Sequence, residues 1–160
     1  EKRGLPVFVK PTDSGASFGV TKVKKIEDFE SAIALAFSEG KTMLIEEAVN
    51  GRELQDAVYF NGRETVALTV IEIVSENEFF DYARITDEER ELIQETSRKI
   101  YSRLDCSGVV RIDYILSDEG LYFLEINTIP GMTSASLVPQ MVKQAGIDIT
   151  EFLSSIIENS

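Results

Sequence analysis

Apolar and polar residues alternate in several short runs of this chain, which is typical of β-strands with one buried face. The runs that predict strands are 5–11, 20–23, 43–46, 53–60, 64–74, 109–117 and 121–127. Asn61 and Gly62 lie between two of these runs and are a strong signal for a hairpin. The pattern therefore predicts a sheet-rich protein in which neighbouring strands are joined by hairpins.

Two further stretches repeat apolar residues at helical spacing. Residues 28–38 predict a helix that Gly40 is placed to end, with one apolar stripe formed by Phe29, Ile33, Ala36 and Phe37. Thr86 and Glu89 match a capping box, and a helix of about five turns is predicted after them. Strands and helices follow one another in mixed order, so the predicted fold class is α+β with largely antiparallel sheets.

Composition narrows the class of protein. The chain has 160 residues with 16 Lys and Arg against 28 Asp and Glu, a net charge of −12, which argues against nucleic acid as a partner. The single Cys106 excludes a disulfide within one chain, and the absence of histidine makes a zinc site a poor fit. No signal peptide opens the chain and no apolar run approaches the ~20 residues of a membrane span, so we expect a cytoplasmic protein without membrane contact. A boundary at 50–52 predicts two subdomains, 1–50 and 51–160.

The hairpin at 109–127 carries the strongest chemical signal. A three-residue loop, Asp118-Glu119-Gly120, would place Asp113 opposite Glu125 and Arg111 opposite Asn127, and it would pair Tyr114 with Leu124 and Leu116 with Tyr122. One face of the hairpin would then be apolar and the other polar. Opposed carboxylates repel each other, and hard oxygen ligands favour Mg²⁺ bound together with a phosphate. A solvated polar face is an alternative of about equal weight from the hairpin alone.

Two weaker signals lie in the first third of the chain. Lys10 precedes a loop that contains Gly15 and Gly19, and the backbone amides of such a loop can bind phosphate oxygens. This loop lacks the pattern of a Walker A motif, and an ordinary surface loop is the interpretation that its residues favour by themselves. Acidic residues at 46, 47 and 53 could accept hydrogen bonds from a nucleotide, or they could simply be exposed acids of an acidic protein.

Taken together, these segments resemble the ATP-grasp fold and, within it, the D-alanine–D-alanine ligase family. The matching segments, in order, are LPVFVKP (5–11), SGASFGV (14–20), EE (46–47), GREL (51–54), FDY (80–82), GVVRID (108–113) and EINTIPGMT (125–133). The similarity covers essentially the whole chain. The paired segments at 108–113 and 125–133 are its most specific part.

The resemblance implies a role for each matching residue. ATP phosphates would be bound by Lys10 and by a loop containing Gly15, Ser17 and Gly19; adenine by Glu46, Glu47 and Val49; and ribose by Glu53. Two Mg²⁺ ions, for which Mn²⁺ could substitute, would be held by Asp113, Glu125 and Asn127. Arg111 and the Gly131 amide would stabilise an oxyanion at the first D-alanine, and Ser136 and Leu137 would bind the carboxylate of the second. The implied reaction phosphorylates one D-alanine carboxylate, which the amine of the other then attacks, in peptidoglycan precursor synthesis. The family also implies a homodimer.

The chain departs from the family pattern at three places. Ala16 stands where the family usually has the first of two serines. The segment that usually follows FDY, a mobile loop that closes over the site, is short here, since Tyr82 runs directly into Ala83 and Arg84. A preceding domain would be expected, and without it we expect the 160 residues not to ligate D-alanine alone. Two alternatives remain: a related ligase that accepts D-lactate or D-serine as its second substrate, and a nucleotide-binding module without catalysis.

Overall fold

The computed structural model describes residues 4–13, 17–74, 80–82 and 84–159, with backbone only at 80–82. It divides the chain into two compact units, Glu1–Asn50 and Gly51–Ser160. The observed elements are antiparallel sheets with packed helices, so the predicted α+β class is confirmed. No helix within the described ranges is long and apolar enough to cross a membrane.

The first unit is a three-stranded antiparallel sheet with one helix. Its strands are β1 (Val7–Pro11), β2 (Thr21–Val23) and β3 (Met43–Glu47), in the order β2-β1-β3, and helix α1 spans Phe29–Glu39 after a 3-10 turn at Ile26–Asp28. The buried residues of the helix and sheet form a small core of Val7, Val9, Val23, Ala32 and Ala36. Placing Phe37 on the buried stripe was wrong, because it is half exposed, whereas Ala32 and Ala36 of the same helix are buried.

Gly40 ends α1 as predicted, and the reason is a close approach rather than a left-handed conformation. Its backbone is extended, at φ −154°, and its amide donates to the carbonyl of Ala36. A Cβ at this position would collide with the side chains of Asp13 and Pro11. Only glycine therefore fits here without moving the chain that follows β1.

The second unit is a six-stranded sheet with helices on both faces. Its strands are β4 (Arg52–Phe60), β5 (Thr65–Ala67), β6 (Ile71–Ile73), β7 (Phe80–Tyr82), β8 (Val109–Ser117) and β9 (Gly120–Asn127). The order is β7-β6-β4-β8-β9, with β5 paired to β4. The helices are α2 (Asp87–Arg103), α3 (Leu137–Gln144) and α4 (Ile149–Glu158).

The two faces of β4 and β8 bury alternate residues in two separate cores. On one face, Leu54, Val58, Ile112 and Tyr114 pack with Ile93 and Tyr101 of α2. On the other face, Ala57, Tyr59 and Val109 pack with Val138, Met141 and Val142 of α3 and Phe152 of α4. This second core covers only one end of its face. Toward the other end the same face carries polar side chains.

One predicted strand in this unit needs correction, and two local predictions are confirmed. The strand predicted at 64–74 is two strands, β5 and β6, because the intervening Leu68 turns inward and its amide donates to the carbonyl of Ala57. The hairpin after Phe60 is confirmed, and Asn61 closes its loop by accepting from the amides of Arg63 and Glu64 at 2.9 and 2.8 Å. The capping box is also confirmed: Glu89 donates its amide to Thr86 Oγ1 at 3.2 Å, and the Thr86 amide donates to Glu89 Oε2 at 2.8 Å.

The register of the β8–β9 hairpin was predicted correctly at one end and wrongly at the other. Arg111 pairs with Asn127 and Asp113 with Glu125, as expected, but Tyr114 pairs with Phe123 rather than Leu124. A β-bulge accommodates the extra residue, and the loop is therefore two residues long, with Ser117 facing Gly120. Leu116 accordingly faces Leu121 rather than Tyr122. The bulge lies next to Asp113, where it separates the polar end of the hairpin from its turn.

Candidate functional site

The polar end of the β8–β9 hairpin brings together the four side chains that the sequence placed there. Arg111 faces Asn127 and Asp113 faces Glu125 across neighbouring strands. Asp113 is buried, with 3% of its surface exposed, whereas Glu125 is exposed and Arg111 is intermediate. A buried carboxylate lies therefore next to an accessible one on the same face of the sheet.

Arg111 binds both oxygens of Asp113. Its Nε donates to Oδ1 at 2.8 Å and its Nη2 donates to Oδ2 at 2.9 Å, a bidentate pair on a single strand. This hydrogen bonding raises the pKa of Arg111, and the negative charges of Asp113, Glu125 and Glu53 act in the same direction against the effect of burial. The repulsion between Asp113 and Glu125 is thus offset within the protein. An ion that binds Asp113 has to compete with, or displace, this guanidinium.

Gln55 is a member of this group that the sequence reasoning missed. It lies on β4 directly opposite Asp113, and its Nε2 donates to Asp113 Oδ2 at 3.3 Å. Gln55 is 5% exposed, and its Oε1 has no hydrogen-bond partner among the described residues. Alternation along β4 could have placed residues 53 and 55 on one face, but the pairing of β4 with β8 joins segments more than fifty residues apart and has no local signal.

Glu53 belongs to the same charged group. Partial desolvation of its carboxyl, together with the negative charges of Asp113 and Glu125, raises its pKa, while the charge of Arg111 lowers it. No three His, Cys, Asp or Glu side chains of the described residues converge closely enough to hold a metal by themselves. A cation here would therefore need further oxygen ligands, such as Asn127 and the phosphates of a bound nucleotide.

The chain after β9 returns toward helix α3 through a compact loop. Asn127 Oδ1 accepts from the amide of Ile129 at 3.1 Å, which leaves its second lone pair available. Ser136 Oγ contacts Thr133 Oγ1 at 2.8 Å and accepts from the Thr133 amide at 3.1 Å. A Cβ added to Gly131 would lie 2.8 Å from Ser136 Oγ, so these two predicted residues are neighbours.

Ser136 precedes the first turn of α3, which begins at Leu137. The Ser136 side chain makes no capping hydrogen bond to the helix. The first amides of a helix lack partners within it and favour a negative charge. The predicted carboxylate ligands Ser136 and Leu137 therefore lie together at a helix start with free donor capacity.

In the first unit, the structure brings together two residues that were predicted to bind different parts of a nucleotide. Lys10 Nζ lies 2.8 Å from Glu46 Oε2, across the β1–β3 pair. Glu47 is exposed on the same strand, and the Val49 amide donates to the Glu47 carbonyl at 3.1 Å. The positive φ of Ser17 (60°) and Gly19 (74°) shows a tight turn at the end of the glycine loop. Gly15 and Ala16 lie outside the described residues.

Comparison with known proteins places these features in one family. A family model described as the C-terminus of D-ala D-ala ligase matches residues 1–158. The chain belongs to this family. A D-alanine–D-alanine ligase of Bacteroides fragilis is 44% identical over 173 residues, which cover 99% of this chain and 53% of the relative.

Solved structures of the ligase family share the fold. A D-Ala:D-Ser ligase from Enterococcus faecalis has a TM-score of 0.87 at 37% identity, covering 96% of this chain and 49% of that one. A D-alanine–D-alanine ligase from Bacillus anthracis, solved with ATP, has a TM-score of 0.82 at 30% identity, covering 97% and 50%. The ATP-grasp fold expected from the resemblance is confirmed, and the chain spans about half the length of these relatives.

The length of the alignment bears on the short segment after Tyr82. The match to the Bacteroides fragilis ligase extends over 173 residues, against 160 in this chain, so at least 13 positions (173 − 160) have no counterpart here. The residues around this junction, 75–79 and 83, lie outside the described ranges.

Proposed function

We propose that this chain is the ATP-binding part of an enzyme that joins two D-alanines with the hydrolysis of ATP. The observation that carries the proposal is the polar face of β4, β8 and β9, on which Arg111, Asp113 and Glu125 lie together in a protein of this family. We further propose that residues 1–50 and 51–160 are its small and large ATP-grasp subdomains.

The residues of this face fit a magnesium site. Asp113 and Glu125 supply carboxylate oxygens and Asn127 an amide oxygen, which is the hard donor set that Mg²⁺ prefers. Two bound Mg²⁺ ions, or Mn²⁺ in their place, would neutralise the phosphates of ATP and the charge that develops on transfer. The protein's own part is to hold the two carboxylates at fixed positions on neighbouring strands. The pairing of β8 with β9 supports this, because it holds Asp113 directly opposite Glu125.

Arg111 and Gly131 are the proposed catalytic groups. The guanidinium of Arg111 is charged at any working pH, so it can stabilise an oxyanion on the first D-alanine. The Gly131 amide would donate to the same oxygen. The absence of a side chain at Gly131 matters here, since a Cβ would collide with Ser136.

The remaining proposed contacts bind the substrates. The phosphates of ATP would be bound by Lys10, Gly15, Ser17 and Gly19. The adenine would be bound by Glu46, Glu47 and Val49, and the ribose by Glu53. Ser136 and Leu137 would bind the carboxylate of the second D-alanine, which the donors at the start of α3 support. We propose that the protein functions as a cytoplasmic homodimer. Size-exclusion chromatography with light scattering, which measures molar mass, would test the dimer.

A second candidate differs only in the second substrate. The D-Ala:D-Ser ligase from Enterococcus faecalis is 37% identical to this chain and has a TM-score of 0.87, so a D-serine-accepting ligase remains a competing proposal. Both candidates need the same nucleotide and metal residues. They differ in which nucleophile the site accepts.

The test is a coupled phosphate-release assay on the longest native form of the protein. D-Alanine alone should support ATP-dependent phosphate release, with D-alanyl-D-alanine as the product identified by mass spectrometry. A mixed D-alanyl-D-serine product at comparable rates would favour the second candidate, and D-lactate is tested in the same way. Nucleotide binding without phosphate release with any of these substrates would indicate a binding module instead.

A further inference from the structure

Gln55 is a buried polar side chain whose position an ordinary packing role does not explain. Its surroundings on β4 are buried, and one of its two amide atoms, Oε1, has no partner among the described residues. A buried acceptor without a donor destabilises the folded state, so an apolar side chain would be more favourable for stability here. The other amide atom, Nε2, contacts the buried carboxylate of Asp113.

The contacts of Asp113 suggest what Gln55 does. Arg111 binds both Asp113 oxygens, and Gln55 binds Oδ2 from the neighbouring strand. A cation at Asp113 repels the guanidinium of Arg111 but not the neutral amide of Gln55. If the guanidinium of Arg111 moves away, the amide of Gln55 would therefore still contact the Asp113 carboxylate.

We propose that Gln55 is a positioning residue that orients Asp113 for metal binding, an inference that rests on the proposed function. Gln55 acts through Asp113 and does not replace it as a ligand. Partners that orient metal ligands typically change metal affinity by 10–100-fold when they are mutated.

The test measures Mn²⁺ binding by electron paramagnetic resonance, with a non-hydrolysable ATP analogue present and no turnover. Gln55→Met removes the amide while keeping the size of the side chain, and it should weaken Mn²⁺ binding about tenfold or more. Gln94→Met is the matched control, because Gln94 lies on α2, outside the polar face, and donates at 2.6 Å to the carbonyl of Leu68. It should bind Mn²⁺ like the wild type.

A double-mutant cycle separates positioning from general damage. In the Asp113→Asn background, Gln55→Met should cause no further loss of Mn²⁺ affinity, since the two changes act on one ligand. Gln55→Thr, whose side chain suits a strand but is too short to maintain the contact, should give the same loss and replaces Gln55→Met if that variant does not fold.

The outcomes distinguish this inference from the proposed function. If the wild-type protein binds no Mn²⁺ with the analogue, the metal site itself is wrong. If the wild type binds Mn²⁺ and the Gln55 variants bind it equally well, only the positioning role is wrong. If Gln55→Met lowers Mn²⁺ affinity equally in the wild-type and Asp113→Asn backgrounds, the positioning role is also wrong, because Gln55 would then not act through Asp113.

Discussion

At the scale of single residues, the guanidinium of Arg111 meets two demands that conflict. It neutralises Asp113 through two hydrogen bonds of 2.8 and 2.9 Å, and the proposed reaction needs the same group at the oxyanion. We expect a metal ion at Asp113 to lessen this conflict, because the ion would balance the charge that Arg111 balances in the structure described here.

Replacement of Lys10 and replacement of Arg111 should change different kinetic constants. Lys10 is proposed to bind phosphate in the ground state, so Lys10→Ala should mainly raise the KM for ATP. Arg111 is proposed to face charge that develops later, so Arg111→Ala should mainly lower kcat, by ~10²–10³. Steady-state kinetics on the longest native form measures both values. A normal kcat in the Arg111 variant would show that this residue only balances the acidic cluster.

The buried carboxyl of Asp56 should give the protein's stability an unusual dependence on pH. It is fully buried behind the polar face, and this burial raises its pKa from 3.8 to about 7, against the opposing effects of the Ser97 hydroxyl and the Arg98 charge. No oxygen of its carboxyl makes a hydrogen bond of ordinary geometry to a described residue, although Ser97 lies close enough to favour the charged form. Burial is the dominant effect, and the Ser97 hydroxyl is shared with the Tyr114 hydroxyl at 2.8 Å.

The folded protein therefore holds the Asp56 proton more tightly than the unfolded chain does. The contribution of protonated Asp56 is fully present below the unfolded pKa of 3.8 and is lost as pH rises to about 7, with a limiting slope of about 1.4 kcal/mol per pH unit. Asp56→Asn should remove this loss, so its advantage in free energy of unfolding over the wild type should grow from pH 4.5 to 7. Urea unfolding measures it, with Asp118→Asn in the exposed hairpin turn as control. A constant difference across this range would contradict the assignment.

At the scale of elements, the sequence predicted local features well and long-range pairing poorly. The capping box at Thr86 was correct because it follows from residues close in the chain. The pairing of Asp113 with Glu125 was correct although the loop is one residue shorter than predicted, because the bulge offsets that difference. The register beyond Asp113 was wrong, since a bulge at Leu124 changes the loop length without leaving a residue-type signal. Gln55 was missed for a different reason: its importance depends on the order of strands in the sheet.

The capping box gives a prediction for the stability of α2. Thr86→Ala removes the side-chain acceptor for the Glu89 amide, and it should lower the free energy of unfolding by about 1 kcal/mol. Thr96→Ala is the control, because Thr96 lies inside the same helix and donates back to the Leu92 carbonyl, a contact that stabilises helices little. Equal losses in the two variants, measured by urea unfolding, would show that the cap does not stabilise the helix.

At the scale of the whole molecule, the two units differ in how much core they contain. Residues 51–160 contain two buried clusters on opposite faces of one sheet, whereas the described part of residues 1–50 contains five buried apolar residues. Small cores are marginal because less of the chain's surface is buried. We expect residues 51–160 produced alone to unfold cooperatively on heating, as followed by circular dichroism. A non-cooperative transition in that fragment would contradict the division into units.

The proposed function makes one demand of the whole chain: nucleotide and metal must bind together. Glu125→Gln removes one charge from the polar face while keeping the size of the side chain, so it should weaken the binding of ATP measured by calorimetry in the presence of Mg²⁺. Glu119→Gln, at the exposed turn of the same hairpin, should bind ATP like the wild type.

Calorimetric titration of ATP into the Glu125→Gln variant, over a series of Mg²⁺ concentrations, tests the magnesium site most directly. We expect a clear loss of ATP affinity at low Mg²⁺ that higher Mg²⁺ partly restores. An ATP affinity equal to that of the wild type at every Mg²⁺ concentration would contradict the assignment of the polar face as the metal site.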